Sequence, residues 1–88
     1  MNWYFSIVNT PNKAIALRIR ELLVENNMSQ YRLEQNSGIS RSQMDFILKN
    51  RNKSVSFTTV ILLAKGFSMT LQDFLNSPLF EYEEIELD

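Results

Sequence analysis

The chain has 88 residues, 44 % of them apolar, and a formal net charge of −1. That length makes one domain, and that apolar fraction excludes an unfolded chain. It has no cysteine and no histidine, so disulfides, thiolate chemistry and the commonest general base are excluded; no Asp-x-Asp loop offers a carboxylate-only metal site. Composition therefore argues against an enzyme and implies neither metal nor cofactor.

Residues 1–10 read as an N-terminal arm. Trp3, Tyr4, Phe5, Ile7 and Val8 are β-prone and suit a short strand or an extended segment. The run is too short for a membrane span and lacks the basic flank of a signal peptide, which predicts a cytoplasmic protein without a membrane partner. Residues 11–77 read as the folded domain and residues 78–88 as an acidic tail. Two glycines and two prolines leave little material for hairpins, so an all-α build is expected.

Thr10-Pro11 has the form of an N-cap followed by proline at the first helical position. The first helix is expected to run to about Asn26, with Ile15, Ile19 and Leu22 inward and Leu23 alongside. Ser29 caps a second helix with Leu33 inward. Gly38 supplies the positive φ of a sharp turn. Ser40 caps a third helix, and Gln43 completes a Ser-x-x-Gln capping box. Met44, Ile47 and Leu48 form that helix's inner face, and Asn50 closes it. Asn50 to Ser54 is a polar, basic loop. Ser56 caps a fourth helix with Phe57, Val60, Ile61, Leu63 and Ala64 apolar. Thr70 caps a short fifth, with Asp73 as capping-box partner and Leu71, Phe74 and Leu75 apolar, and Ser77-Pro78 stops it. The tail alternates weakly through Tyr82, Ile85 and Leu87, which suits either disorder or a strand paired with the arm.

The stretch Ser29–Asn50, SQYRLEQNSGISRSQMDFILKN, is thus two short capped helices around one tight turn. That is a helix-turn-helix pattern, a device whose second helix can enter the DNA major groove. The charge is divided along the chain. Pro11 to Lys53 carries a net +4, and Ser54 onward a net −5. A cationic face around the motif and a separate acidic end follow from that division.

These residues resemble the Xre family, the phage Cro/repressor type of helix-turn-helix regulator. The resemblance rests on Ser29-Gln30, on Ser37-Gly38-Ile39-Ser40 at the turn, and on SFTTVILLAKGFSMTLQDFL, which is similar to the family's last two helices. It covers roughly Ile15 to Leu75. It implies a lambda-repressor-like five-helix bundle that binds double-stranded DNA, regulates transcription and usually forms a dimer on a near-palindromic operator. Three positions depart from the family. Leu23 and Leu48 stand where an Arg–Glu pair is common; losing both partners together avoids an unpaired buried charge, and predicts that the two leucines meet. Glu34 stands where a small residue is usual, so its carboxylate must reach solvent or find a cation. Phe46 replaces a residue that is often polar and base-reading.

Arg41, Ser42, Gln43 and Phe46 are the candidates for base contacts, because the N-terminal half of the third helix enters the groove. Arg41 can donate twice to guanine O6 and N7, and Phe46 can touch a thymine methyl. The competing assignments are a phosphate contact or a solvated side chain for Arg41, a cap for Gln43 and core packing for Phe46. Gln30, Lys49, Asn50, Arg51, Asn52 and Lys53 are the candidates for phosphate contacts; the loop residues have a solvated connector as their alternative. Asp45 opposes DNA unless it accepts from a cytosine amino group or a neighbouring Arg. Leu62, Phe67, Met69, Leu79, Phe80 and Tyr82 exceed what one small core needs, which suggests a homodimer through the C-terminal third; the alternative is that they cover the domain's own core. The function expected is a DNA-binding transcriptional regulator, with a repressor acting as a homodimer foremost. A protein-interaction module on the same scaffold, such as an antitoxin or anti-repressor, stays open because of Glu34, Asp45 and the low net charge.

Overall fold

Hydroxyl side chains open every α-helix in the computed structural model, which describes residues 10–49 and 54–81. The order is α1 (Pro11–Glu25), α2 (Gln30–Ser37), α3 (Arg41–Leu48), α4 (Phe57–Gly66) and α5 (Leu71–Leu75), followed by a 3-10 turn at Pro78–Phe80. No strand occurs among the described residues; the strand expected of the arm and of the end of the tail lies outside them. Thr10, Ser29, Ser40, Ser56 and Thr70 each accept from the backbone N–H three residues on, at 3.0–3.3 Å. Each bond satisfies one N–H that the first helical turn leaves without a partner. Only this hydroxyl half of the two expected capping boxes forms among the described residues. The Gln43 amide points instead to Thr59 Oγ1 at 3.4 Å.

The helix ends follow backbone freedom. Asn27 takes φ 52° after α1, and Gly38 takes φ 80° after α2. Both lie in the left-handed region that Asn and Gly occupy most easily. Lys49 caps α3; Asn50, expected to close it, lies outside the described residues.

Behind these boundaries sits one core. Ile15, Ile19 and Leu22 of α1 meet Leu33, Ile39, Met44, Ile47 and Leu48 of the turn region and Val60, Leu63, Ala64, Phe67 and Phe74 of the C-terminal part. Leu48 lies within that core and Leu23 packs against its edge, so the positions of the family's usual ion pair are both given to apolar packing. In the C-terminal third, Phe67 is buried, and Leu62, Met69 and Phe80 pack on the same core. Phe67 therefore belongs to its own domain's core, and Leu62, Met69 and Phe80 give that core part of their surface while keeping part exposed. A chain this small needs them, because its surface is large for its volume. Leu79 is half-buried, and Tyr82 lies outside the described residues. The turn Pro78–Phe80, assigned to the tail by its sequence, packs beside α1 with the Phe80 ring 6.3 Å from that of Phe74.

The pairing of α2 with α4 positions the turn, and it depends on Gly66. A Cβ there would lie 2.7 Å from Leu33 Cδ1 and 3.0 Å from Ser37 Cβ. Leu33 is fully buried, so its side chain would have to shift within a packed core. Gly66→Ala should destabilise the domain by about 1–3 kcal/mol through overpacking, despite alanine's better helix propensity. Equilibrium urea unfolding measures this, and a gain in stability would contradict the close approach.

Candidate nucleic-acid interface

The outward surface of α3 is a consequence of its inward one. Met44, Ile47 and Leu48 fix the buried side, so Arg41, Ser42, Gln43, Phe46 and Lys49 are exposed. Ser42, Phe46 and Lys49, four and three residues apart, form one stripe along the helix. Phe46 is outside the core, 41 % exposed, which answers its core-packing alternative. Ser40 holds the first turn of α3, and Gly38 lets α2 turn sharply into it. Asn50, Arg51, Asn52 and Lys53 lie outside the described residues.

A polar network joins the two helices across the turn. Arg41 Nε donates to both oxygens of Glu34, at 3.0 and 2.8 Å. Gln30 Nε2 donates to Glu34 Oε2 at 2.8 Å and to Asp45 Oδ1 at 3.0 Å. Glu34 is only 7 % exposed, whereas the Arg41 side chain is 60 % exposed. Glu34 has therefore found its cation, and that cation is a candidate base-reading residue. Asp45 is likewise occupied inside the domain. Both Gln30 amide hydrogens are directed inward, so the donor left there for a phosphate is the backbone N–H at the opening of α2, where helices favour anions.

The bond from Arg41, reinforced by Gln30, holds the Glu34 carboxyl below the usual glutamate range, and the same bond pushes the Arg41 guanidinium further up. A carboxylate with a depressed pKa binds its proton more weakly in the folded chain than in the unfolded one. Its contribution to stability is complete above the unfolded value, about pH 4.3, and is lost as pH falls through the folded value. The stability gap between the unaltered chain and Glu34→Gln should accordingly be widest above about pH 5 and narrow in acid. Urea midpoints from neutral pH down into the acid range below about pH 4 check it; a gap that widened in acid would reverse the sign.

Two other arginines leave the cationic face for structural work. Arg18 is buried: Nε donates to the Phe74 carbonyl at 2.6 Å, Nη2 to the Asp73 carbonyl at 2.8 Å and Nη1 to Glu21 at 2.7 Å. It thereby holds the C-terminal end of α5, with its guanidinium 6.0 Å from the Phe74 ring centre. Arg20 donates to the Leu48 carbonyl at 2.9 Å and so fixes the end of α3 from α1. The sequence did carry a signal for Arg18, which stands on the Ile15–Ile19–Leu22 stripe three residues after Ile15. The exposed cations of α2 and α3 are Arg32, Arg41 and, at the end of α3, Lys49.

Two capped helices meeting at a glycine turn, the second with its polar side outward and its aliphatic side locked in the core, define a helix-turn-helix DNA-binding domain. The family model of the Cro/C1-type HTH DNA-binding domain matches residues 18–78, most of the chain, and the chain belongs to that family. No curated protein and no solved structure matches it. Membership makes DNA binding the class of activity. Among the described residues no helix is long and apolar enough to cross a membrane.

Proposed function

We propose that this protein is a sequence-specific transcriptional regulator, a cytoplasmic repressor that occupies an operator as a homodimer and acts by binding, not catalysis. The observation that carries the reading is the outward face of α3, where Arg41, Ser42, Gln43 and Phe46 are exposed beside a turn fixed by buried neighbours. Those four residues take the base contacts. The backbone N–H of Gln30, together with Lys49, Asn50, Arg51, Asn52 and Lys53, takes the phosphate contacts. Exposed Phe57, Ile61 and Leu75 offer apolar area in the C-terminal third for self-association. Two such domains would set their recognition helices about 34 Å apart, one turn of DNA.

The carboxylates that spoke for a protein partner, Glu34 and Asp45, are engaged within the domain, which removes their weight from that alternative. Binding to a duplex across salt concentrations tests the reading. With Lys49, Arg51 and Lys53 on phosphates in each half of a dimer, affinity should fall about a thousandfold between 50 and 200 mM salt. Weak binding that is indifferent to salt would sink it.

A further inference from the structure

We propose that Glu34 is a positioning residue that sets the base selectivity of α3 by holding Arg41 end-on toward the groove; this rests on the reading of α3 as the DNA-reading helix. Arg41 is anchored at one end and open at the other. Its Nε is bonded to both Glu34 oxygens, and the carboxylate is itself buried and braced by Gln30. Nη1 and Nη2 have no partner among the described residues, on a side chain that is 60 % exposed.

Two consequences follow. Guanine O6 and N7 need two donors side by side. With Nε engaged, the pair that remains is Nη1 and Nη2, so the guanidinium meets the base head-on. An exposed arginine otherwise samples many rotamers, and ordering it opposes binding. The Glu34 bond imposes part of that order before DNA arrives. The pair is also neutral as a whole, so this position adds little to the phosphate attraction common to every sequence. Glu34 thus trades general affinity for discrimination, an effect that a merely structural carboxylate would not have.

The opposing signs make the test. The full chain is used to select from duplexes with a randomised central segment. The winning duplex and a scrambled one are then titrated with the unaltered chain, Arg41→Ala, Glu34→Ala and Glu34→Gln, each first shown to be folded by thermal unfolding. Arg41→Ala marks the guanine positions that Arg41 reads. At those positions Glu34→Ala should lose about five- to tenfold of the guanine preference, while its affinity for the scrambled duplex rises at low salt because one negative charge is gone. Glu34→Gln keeps an acceptor for Nε and the side chain's volume, and should retain more of the preference; it also serves as the test if the alanine variant does not fold. Full guanine preference in folded Glu34→Ala (or in Glu34→Gln where the alanine variant does not fold), or equal losses on both duplexes, overturns the proposal while leaving α3 as the reading helix. No selected sequence with the unaltered chain overturns that reading, and the proposal with it.

Discussion

Replacing Arg18 by alanine is expected to remove about 2–4 kcal/mol of stability, read as a lower urea midpoint with an unchanged slope. At the end of α5 the Phe74 carbonyl takes its hydrogen bond from this guanidinium, and the Asp73 carbonyl shares it with the Asn76 N–H. A bond from a charged donor contributes about 1.5–3 kcal/mol, and carbonyls left without it must be resolvated. The aliphatic stem is buried as well, so packing is lost with the charge. For a domain of this size, with total stability of roughly 5–10 kcal/mol, that is a large fraction. The ion pair with Glu21 is not the source. Its carboxylate is 43 % exposed, and Glu21→Ala should cost less than about 1 kcal/mol. Arg18→Lys should recover little, since an ammonium cannot reproduce a planar fork across two carbonyls. Equal effects from Glu21→Ala and Arg18→Ala would show that the ion pair, and not the carbonyl clamp, is what matters.

Arg18 also shows where reading the sequence runs out. Caps are legible because a hydroxyl and the N–H it accepts lie three residues apart, and all five expected caps form. The turn at Gly38 is legible for the same reason, since one residue's backbone freedom decides it. The inner stripes of α1 and α3 follow from helical periodicity. What Arg18 does depends on Phe74, 56 residues away, and no local pattern encodes that. The place of Phe67, Met69 and Phe80 is no more local: Phe67 is buried and Met69 and Phe80 are half-buried against the core because of how the helices meet. At the site, the anomaly at Glu34 was visible as a carboxylate needing a cation. That the cation is Arg41 comes from two helices crossing at a tight turn, which brings residues seven apart into contact. The same network turns Gln30 inward, where its place at the head of α2 suggested a side chain free for phosphate.

Arg41→Ala should then separate specificity from affinity. If Arg41 reads a guanine, its removal costs about 1–3 kcal/mol of discrimination at that base pair, roughly five- to 150-fold. Binding to unrelated duplexes should fall only modestly and mainly at low salt, because the intact pair lends no net charge to phosphates and the variant leaves one uncompensated Glu34 carboxylate. The dependence on salt should change by less than one counterion per domain. Lys49→Ala provides the contrast. It lies exposed at the end of α3 with no partner among the described residues, and its loss should weaken binding alike on every sequence and reduce the salt slope by about one per domain. Stability offers an independent reading of the same variant. Without Arg41, Glu34 keeps only the Gln30 bond, so its carboxyl returns upward toward or beyond the ordinary range. The variant should therefore lose less stability than the unaltered chain when the pH is lowered toward 4. If Arg41→Ala lowered affinity uniformly and left every base preference intact, Arg41 would be a phosphate contact, and base reading would pass to Ser42, Gln43 and Phe46.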